Sequence, residues 1–349
     1  DIHINENENF VTVEMMPEGV VEISKIPEVK WIDEKPFIQL HASSTSPSTI
    51  PMLLQNNWVF TTSTTGWKLW NAGIDGNASG TIQIVAVQDT GLNTNMEHFA
   101  HALSNPTALP SASHRKVTGY YNSGGDLCVL NYTSGDGGHG TWTSQHAVGS
   151  ISNLASPVDT THTPNTYYDN GIARDAKLYF QDIGNSAGNL TGPTSMSGSI
   201  TNAQSNGAYI QNNSWGTSSP TYDTNASAVD STLYSNPNMV VTVSAGNSGP
   251  GGLGTIGSPS TAKNCINVGG VDAANPTRLY EDCNWDGNAA CSTADAGSSQ
   301  GPVSTSNRIK PDICSIFGFT ALVGGENEAG NRPHAMCQTD TTRNWYWDY

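Results

Sequence analysis

Positive charge is what this chain has least of. Lysine and arginine together number 14, against 30 aspartates and glutamates in 349 residues, for a formal net charge of −16. Binding a phosphate backbone needs a basic footprint, so this balance argues against a nucleic-acid partner. Long apolar runs are missing too. No stretch reaches the ~18 consecutive apolar residues of a membrane-spanning helix, and no membrane span is expected. There is no internal repeat and no block biased enough to read as disordered. No CxxC pair occurs, which leaves a zinc or thioredoxin-like reading weak. No EF-hand loop occurs either, so spacing places no calcium site and the metal ligands stay unknown.

Cysteine is scarce and scattered: Cys128, Cys265, Cys283, Cys291, Cys314 and Cys337. Six cysteines allow 15 pairings. Cys283 and Cys291 flank the short loop segment Asn284-Trp285-Asp286-Gly287-Asn288 and form the best disulfide candidate. Cys265 and Cys314 lie in apolar, strand-like contexts, where a buried free thiol fits equally. The usage leans towards an oxidising, extracellular compartment. No secretory leader stands at Asp1, and the N-terminus reads as cut from something longer.

What the chain does have is a core and many tight loops. Hydrophobic residues make up 36% and glycine accounts for 36 positions, enough for one large α/β domain with an added segment. Residues 10–40 differ from the rest: Val20 to Glu34 reads as a short helical turn followed by an alternating strand. Residues 41–50 form a polar Ser/Thr/Pro stretch suited to a linker or a cleavage site. These features divide the chain into residues 1–45 and a main domain over 46–349. In the main domain, β-branched runs at Ile82–Val87, Ala176–Gln181, Tyr209–Trp215, Met239–Ser244 and Cys265–Gly269 alternate with helix-length segments near 194–208 and 223–235. Near-continuous apolar strands separated by helices predict a doubly wound, mainly parallel β-sheet flanked by helices.

Three polar motifs sit at strand ends, where such sheets collect their chemistry. Asp89, in Asp89-Thr90-Gly91, is a carboxylate just past an apolar strand, able to orient an imidazole. Fifty residues on, Gly138-His139-Gly140-Thr141 presents a histidine from a glycine-rich loop at the start of a helix, suited to proton transfer. Asn247, in Ser244-Ala245-Gly246-Asn247, offers a side-chain amide to a developing oxyanion. Alone, each motif also reads as an ordinary turn.

In the order Asp, His, Asn, these motifs resemble the subtilisin-like (subtilase) serine proteases, whose triad runs Asp, His, Ser. Asn213-Ser214-Trp215-Gly216 resembles the family's substrate-binding strand. Ser258 to Gly270 resembles the strand after the oxyanion Asn, and Arg308 to Ile313 the run that precedes the serine. Within the family the chain looks most like the bacterial type with a β-sandwich following the catalytic domain. Ile23 to Glu34 resembles the last strand of a propeptide, which caps the active site until removed. The resemblance implies that Asp89 orients His139, that His139 is general base and acid, and that Asn247 donates to the oxyanion. It implies that Ser214, Trp215 and Gly216, with Ser244, Ala245 and Gly246, line a cleft by pairing with an extended polypeptide substrate. It also leads to an expectation of structural Ca²⁺.

The pattern breaks in two places. No Gly-Thr-Ser nucleophile motif follows Arg308 to Ile313; the aromatic stretch Trp345 to Tyr349 resembles the one that shortly precedes the serine, so the serine is expected just beyond residue 349. The subtilisin-like domain is then C-terminally incomplete. Gly216-Thr217-Ser218 imitates the motif but precedes Asn247, which argues against Ser218. Second, the family usually has another histidine directly after His-Gly-Thr, and here Trp142-Thr143-Ser144-Gln145 intervene between Thr141 and His146. His98, His101 and His114 read as solvated loop residues. The reading that follows is a secreted serine endopeptidase with its own propeptide as a partner. The alternatives are one half of a split protease and a non-catalytic subtilase-like binding protein. A surface-binding role on glycans, suggested by 9 Trp and 12 Tyr, is disfavoured because most of them suit core packing.

Overall fold

The computed structural model describes residues 2–5, 10–13, 17–29, 32, 39–40, 68–78, 80–92, 94, 98–101, 110–123, 139–150, 170–184, 190–272, 297–317, 323–324 and 346–347. In chain order the elements are β1 (Ile2–Asn5), β2 (Phe10–Val13), α1 (Pro17–Ile23), β3 (Gln39–Leu40), α2 (Lys68–Asn71), β4 (Asn77–Ala78), β5 (Thr81–Ile82), β6 (Ile84–Asp89) and β7 (Val117–Asn122). Then come α3 (His139–Val148), β8 (Lys177–Asp182), α4 (Met196–Ser205), β9 (Ala208–Asn213), β10 (Trp215–Gly216), α5 (Thr224–Ser235) and β11 (Val240–Ser244). The last are β12 (Ile266–Asp272), β13 (Ile313–Phe317), β14 (Val323–Gly324) and β15 (Tyr346–Trp347).

Seven strands form one sheet in the order β13-β12-β11-β9-β6-β8-β7, and every neighbouring pair is parallel. This is the doubly wound α/β architecture that the alternating pattern predicts. Alternate residues of β6 point to opposite faces. Val85 and Val87 enter one core with Leu178, Phe180 and Val148 of α3. Ala86 enters the other, with Ile200 and Ala203 of α4, Val229 and Leu233 of α5, and Val241 and Val243 of β11. Each fully buried aliphatic or phenyl side chain contributes roughly 1.5–3 kcal/mol. The two helices on the second face start on side-chain caps. Ser195 Oγ accepts from Gly198 N at 2.8 Å and Asp223 Oδ1 from Ala226 N at 3.0 Å, so amides that the helix cannot satisfy find partners.

Several expectations need correction. After α1, residues 24–29 form turns rather than the expected strand. Ser24, Lys25, Ile26 and Val29 spend their N–H groups on Val20, Glu22, Ile23 and Ile26 carbonyls, and Pro27 has none to give a ladder. Strands β7 and β13 are additional. β7 (VTGYYN) lacks a continuous apolar run because it is an edge strand, and its Gly119 is required by close approach: a Cβ there would stand 2.6 Å from the Tyr179 ring. Cys265 is buried and Cys314 exposed, both as free thiols, and burial pushes the Cys265 thiol up to about 11. The candidate disulfide Cys283–Cys291, with Cys128 and Cys337, lies outside the described residues, as does the boundary expected at residue 45.

The histidines expected to be solvated are not. His98 and His114 are both 1% exposed, and the His101 and His114 rings meet at a 48° tilt with centroids 4.9 Å apart. His114 Nδ1 accepts from Lys116 N at 3.1 Å and Val117 N at 2.9 Å, which ties the ring to the start of β7. Burial, with the neighbouring His101, Arg115 and Lys177, lowers its pKa from 6.5 to about 4. Between those two values the unfolded chain binds a proton that the folded chain refuses. The stability contributed by this group is therefore complete above pH 6.5 and lost as pH falls towards 4. Urea-unfolding midpoints measured across this range should fall with pH. His114→Asn, which keeps an acceptor but does not titrate, should flatten that fall relative to the parent.

Candidate active site

The chain adds β8 and β7 on one side of β6 and β9, β11, β12 and β13 on the other, so the order reverses at β6. At such a switch point the outgoing loops diverge and leave a crevice beyond the strand ends. Asp89 ends β6, Ser214-Trp215-Gly216 follow β9, and Ala245-Gly246-Asn247 follow β11. These three strands are consecutive in the sheet, in the order β6-β9-β11. At ~4.8 Å per strand their ends span roughly 10 Å.

The central strands turn polar towards this edge while staying buried. Gln88 Nε2 donates to Ser123 Oγ and Gln181 Oε1, both at 3.3 Å. Gln181 Nε2 donates to Ser199 O at 3.0 Å and Gln211 Oε1 at 3.4 Å, and Gln211 Nε2 to Asn213 Oδ1 at 3.0 Å. Sharing donors and acceptors over β8, β6 and β9 offsets the desolvation that each amide would otherwise suffer.

Asp89 and His139 meet at the centre. Both side chains are 0% exposed, and Asp89 Oδ1 lies 2.7 Å from His139 Nδ1. The same oxygen accepts from Thr90 N at 2.8 Å and from the Thr90 hydroxyl at 3.3 Å. Thr90 Oγ1 in turn accepts from Gly140 N at 3.1 Å, so one threonine ties the strand end to the first turn of α3. With Nδ1 engaged by a carboxylate, the ring is held in the tautomer that leaves Nε2 to act as a base. Gly140 makes the approach possible. A Cβ there would stand 2.3 Å from Gly91 O, 2.9 Å from Phe180 Cζ and 3.1 Å from Asp89 Cβ.

Asp182 is a second carboxylate at this edge, paired in register with Asp89. It is fully buried, accepting from Tyr120 OH at 2.5 Å and Gly184 N at 2.9 Å. Burial and this carboxylate hold the Tyr120 phenol well above its usual range.

Asn247 is half-buried, in a loop pinned to residues 297–299 by Ser299 N donating to Gly246 O at 2.8 Å and Ser248 N to Ser299 Oγ at 3.0 Å. Gly246 has φ +109°, a conformation that favours glycine. Ser244 O accepts from Ser260 Oγ, and Ala245 N donates to Val268 O at 2.9 Å. The Trp215 indole points into the core rather than into the crevice and is 0% exposed. Its backbone is engaged differently: β10 pairs antiparallel with β3, Trp215 opposite Leu40 and Gly216 opposite Gln39. Ser218 is exposed, whereas the His139 side chain is fully buried. His146 lies on α3 beyond the Asp89 contact. Thr90, Thr143, Asp182 and Tyr120 are additions that the motif reading did not single out. Thr143 carried a sequence signal, its i,i+4 spacing from His139. Among the described residues no group of three or more His, Cys, Asp or Glu is placed to hold a metal ion.

Comparison with known proteins agrees in kind. The sequence profile of the Subtilase family matches residues 80–346. A Dictyostelium discoideum protein named serine protease/ABC transporter B family protein tagD is 31% identical over 208 residues, covering 57% of this chain and 10% of that protein. Its relative tagA is 28% identical over 231 residues, covering 64% of this chain and 12% of that protein. The chain thus spans about a tenth of the length of these curated relatives. Among solved structures, the epidermin leader peptide processing serine protease of Staphylococcus aureus superposes with TM-score 0.45 at 16% identity, covering 78% of this chain and 65% of that one. The subtilisin-like protease Apa1 of Pseudoalteromonas sp. AS-11 gives TM-score 0.41 at 16% identity, covering 66% and 42%.

The close fit at Gly140 makes a direct test. Gly140→Ala should destabilise the fold by roughly 1–3 kcal/mol in thermal melts, the usual cost of overpacking. It should also remove the low-field proton resonance that a buried imidazole–carboxylate hydrogen bond gives in ¹H NMR.

Proposed function

The chain belongs to the subtilase family, and from that premise we propose that it forms most of the catalytic domain of a secreted serine endopeptidase whose nucleophilic serine lies beyond residue 349. His139 takes the serine proton as the hydroxyl attacks a peptide carbonyl, then delivers it to the leaving amine. Asp89 keeps the imidazole oriented and stabilises its charged form. Asn247 donates to the oxyanion of the tetrahedral intermediate. Ser214, Trp215 and Gly216, with Ser244, Ala245 and Gly246, hold the substrate in extended form by backbone pairing. Water completes the cycle by hydrolysing the acyl-enzyme.

The observation that carries this reading is the 2.7 Å Asp89–His139 contact at the switch point, one strand from an edge that takes an extended segment. That segment, Gln39–Leu40, comes from the chain itself. It supports assigning residues 1–45 as the end of a propeptide that occupies the cleft as a substrate would. The polar stretch 41–50 follows it directly, where a maturation cut falls. Structural calcium, if the mature enzyme uses it, takes no part in these steps.

The test starts from the reading frame past Tyr349, which should encode a Gly-Thr-Ser-x-x-x-Pro segment within a few residues. Protein carrying that segment should react with a fluorophosphonate at its serine, and its processed form should begin at a residue between 41 and 50. Asp89→Asn should lower kcat about 10⁴-fold by favouring the wrong imidazole tautomer. Activity restored only on adding a second chain would establish a split enzyme. Peptide binding without labelling or cleavage would establish a non-catalytic binding protein. Either result overturns the proposal.

A further inference from the structure

Asp89 has two carboxylate oxygens, and the pairing with His139 uses one. Oδ1 already faces His139 Nδ1, Thr90 N and the Thr90 hydroxyl at 2.7, 2.8 and 3.3 Å. Oδ2 has a single donor among the described residues, the hydroxyl of Thr143 at 3.3 Å. The Asp89 side chain is 0% exposed, so bulk water does not reach that oxygen. An ionised carboxylate left with a bare buried oxygen carries a desolvation cost of several kcal/mol.

Thr143 lies four residues after His139 in α3, and this spacing puts both side chains on one helix face, over the end of β6. Its hydroxyl has one proton and two acceptors in reach, Asp89 Oδ2 at 3.3 Å and Gly140 O, three residues back, at 3.2 Å. Bonding back to its own helix is the ordinary habit of a helical threonine. A hydrogen bond to an ionised carboxylate is about twice as strong as one to a neutral carbonyl, which favours Asp89 as the acceptor at these near-equal distances.

We propose that Thr143 is a positioning residue for the catalytic pair, donating to Asp89 Oδ2 and so setting how much negative charge His139 feels. This rests on the assignment of Asp89 and His139 above. Thr143 touches neither substrate nor the reacting atoms and acts through Asp89. Titratable groups on the surrounding elements are Asp182 on β8, Tyr120 on β7 and His146 on α3. Asp182 is engaged by Tyr120 and Gly184, so Thr143 is the one neutral donor that tunes the second oxygen of Asp89 among the described residues.

The test is an NMR titration of ¹⁵N-histidine-labelled protein, which needs no nucleophile. Thr143→Val keeps the shape of the side chain and removes the donor. The carboxylate then presents more uncompensated charge to the imidazole, and the His139 pKa should rise by about 0.5–1 unit. Thr143→Ala should produce the same rise, and Thr143→Ser, which keeps the hydroxyl, should restore the parent value. In protein extended through its serine, kcat/KM for Thr143→Val should fall about 3–10-fold, with the acid limb of its pH profile moved upward by the same interval. An unchanged His139 titration in both Thr143→Val and Thr143→Ala overturns the proposal, as does a rise that Thr143→Ser shares. A His139 shift in protein that never cleaves peptides would leave Thr143 in this role and count against the protease reading instead.

Discussion

A charged carboxylate and an imidazole, both sealed from water, hold the rest of this structure to account. Bringing them to 2.7 Å requires the first turn of α3 to lie almost on the backbone of the turn after β6. Only a residue without a side chain fits between them, and Gly140 is that residue. Thr90 then bridges strand to helix through both its amide and its hydroxyl. A separated pair would leave a buried charge uncompensated, an arrangement that costs several kcal/mol. The geometry of the strand end, the start of the helix and the glycine between them therefore form a single constraint.

That constraint shapes the sheet around it. The central strands are apolar where α3, α4 and α5 cover them and polar towards the edge where Asp89 emerges. Gln88, Gln181, Gln211 and Asn213 pass hydrogen bonds from strand to strand just beneath the site. Their bonds are long, 3.0–3.4 Å, and each is weak alone. A network of this kind specifies register: a one-residue slip of β9 would turn Gln211 and Asn213 to the opposite face and break it. The same register keeps the segment after β9 in place to pair with Gln39–Leu40.

Most of the sheet is legible in the sequence because parallel strands buried on both faces leave β-branched runs such as Ile84 to Val87. The strands that are not legible are those without such a run. β7 is an edge strand broken by a glycine, and β13 follows a Lys-Pro-Asp turn that reads as loop. The meeting of Asp89 and His139 is legible from motif order. Thr143 is harder to see, because its segment looks like an interruption of the histidine motif until the helix places it one turn from His139. His98 and His114 mislead for a related reason. Polar residues in loop-like sequence read as solvated; only tertiary packing shows that both rings are buried and that backbone amides have replaced water as the partner of the His114 imidazole. The Trp215 indole is turned into the core while its backbone pairs with Leu40, so side chain and main chain of one motif serve different ends.

The placement of β6 has a kinetic side. It is the first strand of the sheet to be synthesised, and it ends between two partners. Its neighbours arrive late: Ile84 aligns with Lys177 on one side and with Ala208 on the other. The loops to be closed are about 90 and 120 residues long, the kind of non-local pairing that slows folding because chain entropy is lost before contacts repay it. Until β8 and β9 form, the largely apolar strand β6 has two open edges, and nascent chains at high concentration are exposed there to pairing with one another. The strand that carries Asp89 is thus also a segment whose early history needs protection from aggregation.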